Sequence, residues 1–224
     1  MASLLRQTLA VARKDFQSEL RTRHALNSLA MFVVITVSVM AFSIGTERIT
    51  SGIAAALIWV SMFFTAVTGL GRSFIGEEER GTGFLLRLTV PPGPTYAGKL
   101  LVNLALSLAS NAMLGLMFIA MIRGAEVKAP GSFLVVVLLS SAGFAGAMTI
   151  IAALIARAGS KGALYPVLSF PAILPLIVLG VDLLRRSMSG IGIAAMADDL
   201  LLLGVYSIAI MLAGYLLFDL IWRE

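Results

Sequence analysis

The 224-residue chain contains no cysteine and a single histidine, His24. Without cysteine there can be no disulfide, thiolate nucleophile, iron–sulfur cluster or cysteine-ligated zinc. One histidine excludes a multi-histidine metal centre within one chain. Charge is scarce as well: 13% of residues are Asp, Glu, Lys or Arg, and 59% are hydrophobic. Soluble domains carry roughly a quarter charged residues, so the composition points to a bilayer as solvent. The formal net charge of +5 then reads as basic residues flanking membrane helices, where they set orientation, and nucleic acid is not expected as a partner.

Six apolar runs, at about 26–45, 52–71, 100–122, 131–156, 162–181 and 200–218, lack any Asp, Glu, Lys, Arg or His. Each is close to the ~20 residues needed to cross ~30 Å of hydrocarbon. The expected fold class is therefore an all-α polytopic membrane protein of six transmembrane helices, forming one domain over residues 1–224. Of the seventeen Lys and Arg residues, twelve fall on the side of the termini and five on the other. The positive-inside rule then places both termini in the cytoplasm of a bacterial inner membrane.

Residues 3–23 lack the unbroken apolar core of a signal peptide. Leu5, Leu9, Ala12, Phe16 and Leu20 recur at helical spacing, with Arg6, Arg13, Lys14 and Arg21 off that stripe. This pattern predicts an amphipathic helix lying on the cytoplasmic interface among membrane lipids. In the fourth run, Ser141, Ala145, Thr149, Ala152 and Ala156 form a small-residue strip suited to close helix packing. The fifth run holds Pro166, Pro171 and Pro175, which predicts a broken or bent span whose freed carbonyls need other partners.

The spans offer no intramembrane carboxylate for proton coupling and no base beside a serine, so neither an ion-driven carrier nor an intramembrane protease is expected. The stretch GPTYAGKL, Gly93 to Leu100, approaches the phosphate-binding pattern G-x-x-x-x-G-K-[ST]. It fails chemically: Leu100 cannot hold magnesium and Pro94 lacks an N–H. No catalytic, cofactor-binding or metal-binding residue is expected in this chain. Gly98 is expected to begin the third span in close packing, after a turn at Gly93–Pro94, with Lys99 reaching lipid headgroups.

The longest cytoplasmic connection, residues 72–99, is the most informative segment. Glu77, Glu78, Glu79 and Arg80 form a charged cluster, Gly81 and Thr82 break the chain, and Phe84, Leu85, Leu86 and Leu88 form a short apolar helix before Pro91-Pro92. Clustered apolar residues in such a loop mark a contact surface.

This loop resembles that of the ABC-2 type exporter permeases. More narrowly, GLGRSFIGEEERGTGFLLRLTVPPGPTYAGKLLVN and FPAILPLIVLG are similar to the heme exporter protein B (CcmB) family of the cytochrome c maturation system. The resemblance implies a non-catalytic permease subunit paired with a cytoplasmic ABC ATPase, which binds the ATP and magnesium, and with a second copy of itself. Residues Phe84–Leu88 would be the coupling helix and the N-terminal helix an interfacial elbow. Further partners would be a heme-handling membrane subunit and a periplasmic heme chaperone, with heme either carried by the complex or released with that chaperone. Gly83-Phe84 stands where such permeases usually have Leu-Glu, which leaves the ATPase contacts there undefined. A permease for another small amphiphile and a non-transporting membrane scaffold are the alternatives. His24 reads as an interfacial cap, and Met31, Met40, Met62, Met113, Met117 and Met148 as packing residues.

Overall fold

A computed structural model describes residues 2–22, 24–71, 73–74, 77, 81–157 and 165–223. Among these the chain is helical and contains no strand. Helices α1 (Ala2–Thr22), α2 (His24–Ile44) and α3 (Ser51–Gly69) are followed by the short α4 (Gly83–Thr89). Then come α5 (Pro92–Met121), α6 (Pro130–Arg157), α7 (Tyr165–Met188), a 3-10 turn (Ile193–Met196) and α8 (Ala197–Arg223).

Five segments are long and apolar enough to cross a membrane: Leu26–Ile44, Ser51–Gly69, Pro92–Met121, Pro130–Ala156 and Ile193–Trp222. The chain is thus a multi-pass membrane protein by length and composition. Helix α7 is not among them; its last turns carry Asp182, Arg185 and Arg186. The first residues of the expected fifth span, 162–164, lie outside the described residues.

Helix α6 is the hub, packed against α5, α7 and α8, with α3 touching it more lightly. Its Phe144, Ala145, Ala147, Met148 and Ala152 are fully buried. Small residues explain the close approach: a Cβ on Gly143 would strike Leu176 of α7, and one on Gly146 would strike Met211 of α8. The expected strip holds, with Ser141, Ala145, Thr149 and Ala152 all inaccessible. The side chains facing away from this core, among them Phe42, Leu116, Leu201 and Leu216, are exposed and apolar, as a lipid-facing surface requires.

Connections gather at two ends. At one end Gly124 lies against Arg48, Gly190 against Lys128, and the Ser189 hydroxyl is 3.0 Å from that of Ser51. Arg186 there bridges Asp182 at 2.6 Å and Asp199 at 2.8 Å. Asp198 and Asp199 occupy the first turn of α8, where a carboxylate complements the helix dipole. The 3-10 turn Ile193–Met196 comes just before these acids. At the other end lie α1, α4 and the start of α5.

Two expectations change here. Helix α5 begins at Pro92, so Gly93 and Pro94 form its first turn and not a preceding bend. Proline suits that position because its missing N–H has no intrahelical acceptor there. The proline-rich α7 is helical without interruption from Tyr165, with Pro171 and Pro175 inside it. One outside donor reaches this region: the Tyr206 hydroxyl of α8 donates to the carbonyl of Ala172 at 2.7 Å, the residue next to Pro171, whose carbonyl is the one Pro175 leaves without its intrahelical donor.

Candidate functional site

The first turns of α5 are pressed between two helices. A Cβ on Gly93 would meet the Tyr215 hydroxyl of α8, and one on Gly98 would lie 2.8 Å from Val11 and 2.9 Å from the Thr8 carbonyl of α1. Thr8, Val11 and Asp15 share one helical face, and this face docks α1 on α5. The predicted apolar stripe is a different face: Leu5, Leu9, Phe16 and Leu20 are exposed, in keeping with a lipid-facing role. Of that stripe only Ala12 packs on the core.

Lys99 follows Gly98 and is buried with it, its side chain 1% exposed. The expectation that its ammonium reaches headgroups is therefore wrong. Taking an ammonium out of water costs several kcal/mol unless it is paired and hydrogen-bonded, and Lys99 is both. Its Nζ lies 3.0 Å from Asp15 Oδ2, 2.6 Å from the Ser73 carbonyl and 3.2 Å from Glu77 Oε1. The Phe74 ring centroid is 4.9 Å away, within cation–π range, and Phe74 in turn packs on Phe218 of α8.

Lys14 completes the group, bonded to Glu77 and 3.1 Å from Asp15. Burial pulls the Lys14 pKa down, but the hydrogen bond it donates to Glu77 and the charges of Asp15 and Glu77 outweigh it, so the pKa stands above its ordinary value of 10.5. Among the described residues two ammoniums face two carboxylates, so their formal charges balance.

A polar ladder continues from Lys99 along α5. The Asn103 amide nitrogen is 2.9 Å from the Thr149 hydroxyl of α6 and 3.3 Å from both the Leu70 carbonyl and the Ser73 hydroxyl. One turn on, Ser107 donates to the Ser141 carbonyl, and Asn111 to the Ser141 hydroxyl at 2.9 Å. The four-residue steps from Lys99 to Asn103, Ser107 and Asn111 place all four on one side of α5, and all are buried.

Behind α4 lies a cavity of ≈ 490 Å³. The Lys99 cluster, Ser73, Asn103, Val102 and Leu106 line one side, and Leu85, Leu86 and Thr89 of α4 the other. Leu86 of α4 is buried, whereas Leu85 and Leu88 are 62% and 69% exposed. The breaks around α4 fall as expected: Gly81 has φ +66, a conformation that favours glycine, and Val90 is extended before Pro91. Glu77 sits in the ion cluster, and Thr82 is the residue before α4, its amide bonded to the Glu77 carbonyl. Glu78, Glu79 and Arg80 lie outside the described residues. Phe84 and Pro166 are placed by backbone alone, in α4 and at the start of α7.

Asp15 and Ser73 were not singled out by sequence reasoning, and Lys99 was read only as a headgroup anchor, because their relation joins parts of the chain 84 and 26 positions apart. The ladder did leave a signal, the regular polar steps within an otherwise apolar helix.

These features define a multi-pass helical membrane protein with an ionic cluster at one end of its bundle. The model of the CcmB protein family matches residues 6–218, and the chain belongs to that family. It is a family of transporter permeases, the membrane component that works with an ATPase partner in an ABC transporter. No curated protein sequence matches the chain.

Proposed function

We propose that this chain is the permease subunit of a heme-export or cytochrome c maturation complex, in which a separate cytoplasmic ATPase moves α4. In this reading α7 and the residues before it form a sixth crossing, so that both termini face the cytoplasm of a bacterial inner membrane. The chain works as two copies with two ATPase subunits, beside a heme-handling membrane protein and a periplasmic heme chaperone. ATP and magnesium belong to the ATPase, and hydrolysis either moves heme or releases the loaded chaperone.

The observation that carries this reading is the placement of the leucines on α4. Leu88 turns outward, and Leu85 is also largely exposed at the edge of the cavity it lines, on a two-turn helix bounded by backbone breaks, and exposed apolar side chains of that kind fit a partner's groove. Leu86 turns inward and anchors the helix. Glu78, Glu79 and Arg80 would supply charged contacts beside it.

The test is a Leu85→Asp, Leu88→Asp double variant, which should insert normally, lose the ATPase on purification, and fail to support c-type cytochrome maturation. Retention of the ATPase together with normal cytochrome levels would sink the reading.

A further inference from the structure

Burial of a lysine where a shorter or apolar residue would pack more cheaply calls for a reason, and its partners supply one. Lys99 belongs to α5, Asp15 to α1, and Ser73 and Glu77 to the segment that leads into α4. One ammonium therefore ties three separate parts of the chain together. Asn103, a turn further along, repeats the tie to Leu70 and Ser73 and passes it to Thr149 of α6.

The mechanical setting is equally specific. Helix α4 hangs between Gly81 at φ +66 and the extended Val90, with the ≈ 490 Å³ cavity between it and the cluster. Leu85, Leu86 and Thr89 of α4 line that cavity together with Lys99, Asn103, Val102 and Leu106, so a displacement of α4 alters a space that the cluster shares.

We propose that Lys99 is a positioning residue: with Asp15, Glu77 and Lys14 it forms an ionic clasp that makes α1, the start of α5 and the segment holding Leu70, Ser73 and Glu77 respond to α4 as one body. The proposal rests on the reading of α4 as the segment the ATPase moves. Under it, α1 is driven as part of the mechanism, so that displacement of α4 is delivered to the membrane surface along the exposed Leu5, Leu9, Phe16 and Leu20 face.

The absence of cysteine permits single-site labelling in the full chain assembled with its ATPase in lipid nanodiscs. Distances would be measured from a spin label at Glu126, in the far loop, to labels at Thr89 in α4 and Arg13 in α1, with and without a non-hydrolysable ATP analogue. The wild type should show both distances shifting. The neutral variant Lys14→Gln, Lys99→Met, Asp15→Asn, Glu77→Gln removes both cations with both carboxylates and so leaves no member of the cluster as an orphan charge to disturb folding, and in it Thr89 should still shift while the Arg13 shift is lost. Lys99→Arg, which keeps the charge, should restore it relative to Lys99→Met. Recovery of ATPase with each variant confirms assembly.

An Arg13 label that stays still in the wild type while Thr89 moves overturns the clasp. So does a neutral variant in which Arg13 follows as it does in the wild type. A wild-type Thr89 label that does not respond to nucleotide overturns the coupling reading itself, and the clasp with it.

Discussion

The Tyr206 hydroxyl of α8 donates to the Ala172 carbonyl of α7 at 2.7 Å, beside the turn where Pro175 supplies no N–H. Interhelical hydrogen bonds of this kind in lipid average about 0.6 kcal/mol and reach about 1.7. Tyr206→Phe should therefore destabilise the folded protein within that range in reversible unfolding from mixed micelles. The cost should shrink in a Pro175→Ala background, where the neighbouring Pro171 carbonyl regains its donor and this turn of α7 closes without help from α8. An equal cost in both backgrounds would show that the bond does not compensate for the proline.

Gly98 is where α1 and α5 come closest, and the obstacle to a side chain includes the Thr8 backbone carbonyl as well as Val11. Backbone cannot rotate aside as a side-chain tip can. Gly98→Ala should separate the two helices at a cost of about 1–3 kcal/mol and expose α1 to protease. Unchanged resistance of the 2–22 segment would mean that the helices shift without loss.

Asn103 and Asn111 occupy the same side of α5 but differ in satisfaction. The Asn103 amide has three neighbours, whereas the Asn111 side-chain oxygen is buried without a partner. Asn103→Leu should cost about 1–2 kcal/mol, because it strands the acceptors it served. Asn111→Leu should cost less, since it removes an orphan acceptor along with two bonds. Unfolding of the two variants side by side reads the order directly.

Topology is testable in a chain that supplies no cysteine of its own. Single cysteines at Ala2, Glu126 and Ser189 should separate on treatment of intact spheroplasts with a membrane-impermeant maleimide: the last two react and the first does not. Reaction at Ala2, or protection at Ser189, would contradict the six-crossing arrangement with cytoplasmic termini.

The raised pKa of Lys14 gives a pH dependence of known sign. A lysine held above its ordinary 10.5 contributes stability that is fully present below 10.5 and is lost as pH rises through the folded value. Lys14 is 53% exposed, so the effect is local. The mobility of a label at Arg13 should increase as pH climbs past 10.5, and Lys14→Met should show part of that mobility at neutral pH. A flat response in the wild type would show that this ion pair does not hold α1.

Much of the architecture was legible because charge and apolar runs report directly on solvent. The helices at residues 24–44, 51–69 and 130–157 lie where uncharged runs predicted them, and the break after Gly81 followed from local turn chemistry. Lys99 was misread for a physical reason. A lysine at the edge of an apolar run is usually a headgroup anchor, and nothing nearby in sequence reveals that Asp15 is its partner. The same blindness applied to Leu86: periodicity within a seven-residue helix could not say which leucine faced inward. Pro92 shows the opposite error, since a proline read as a stop is here a start.

The pairing of Asp15 with Lys99 also bears on the order in which the protein is made. Asp15 leaves the ribosome 84 residues before Lys99, so the carboxylate is already in place when α5 arrives with a cation that must be neutralised to be buried. The amino-terminal helix thus acts as a template for seating α5, and a chain synthesised without residues 2–22 should stall as an unseated intermediate open to quality-control proteolysis.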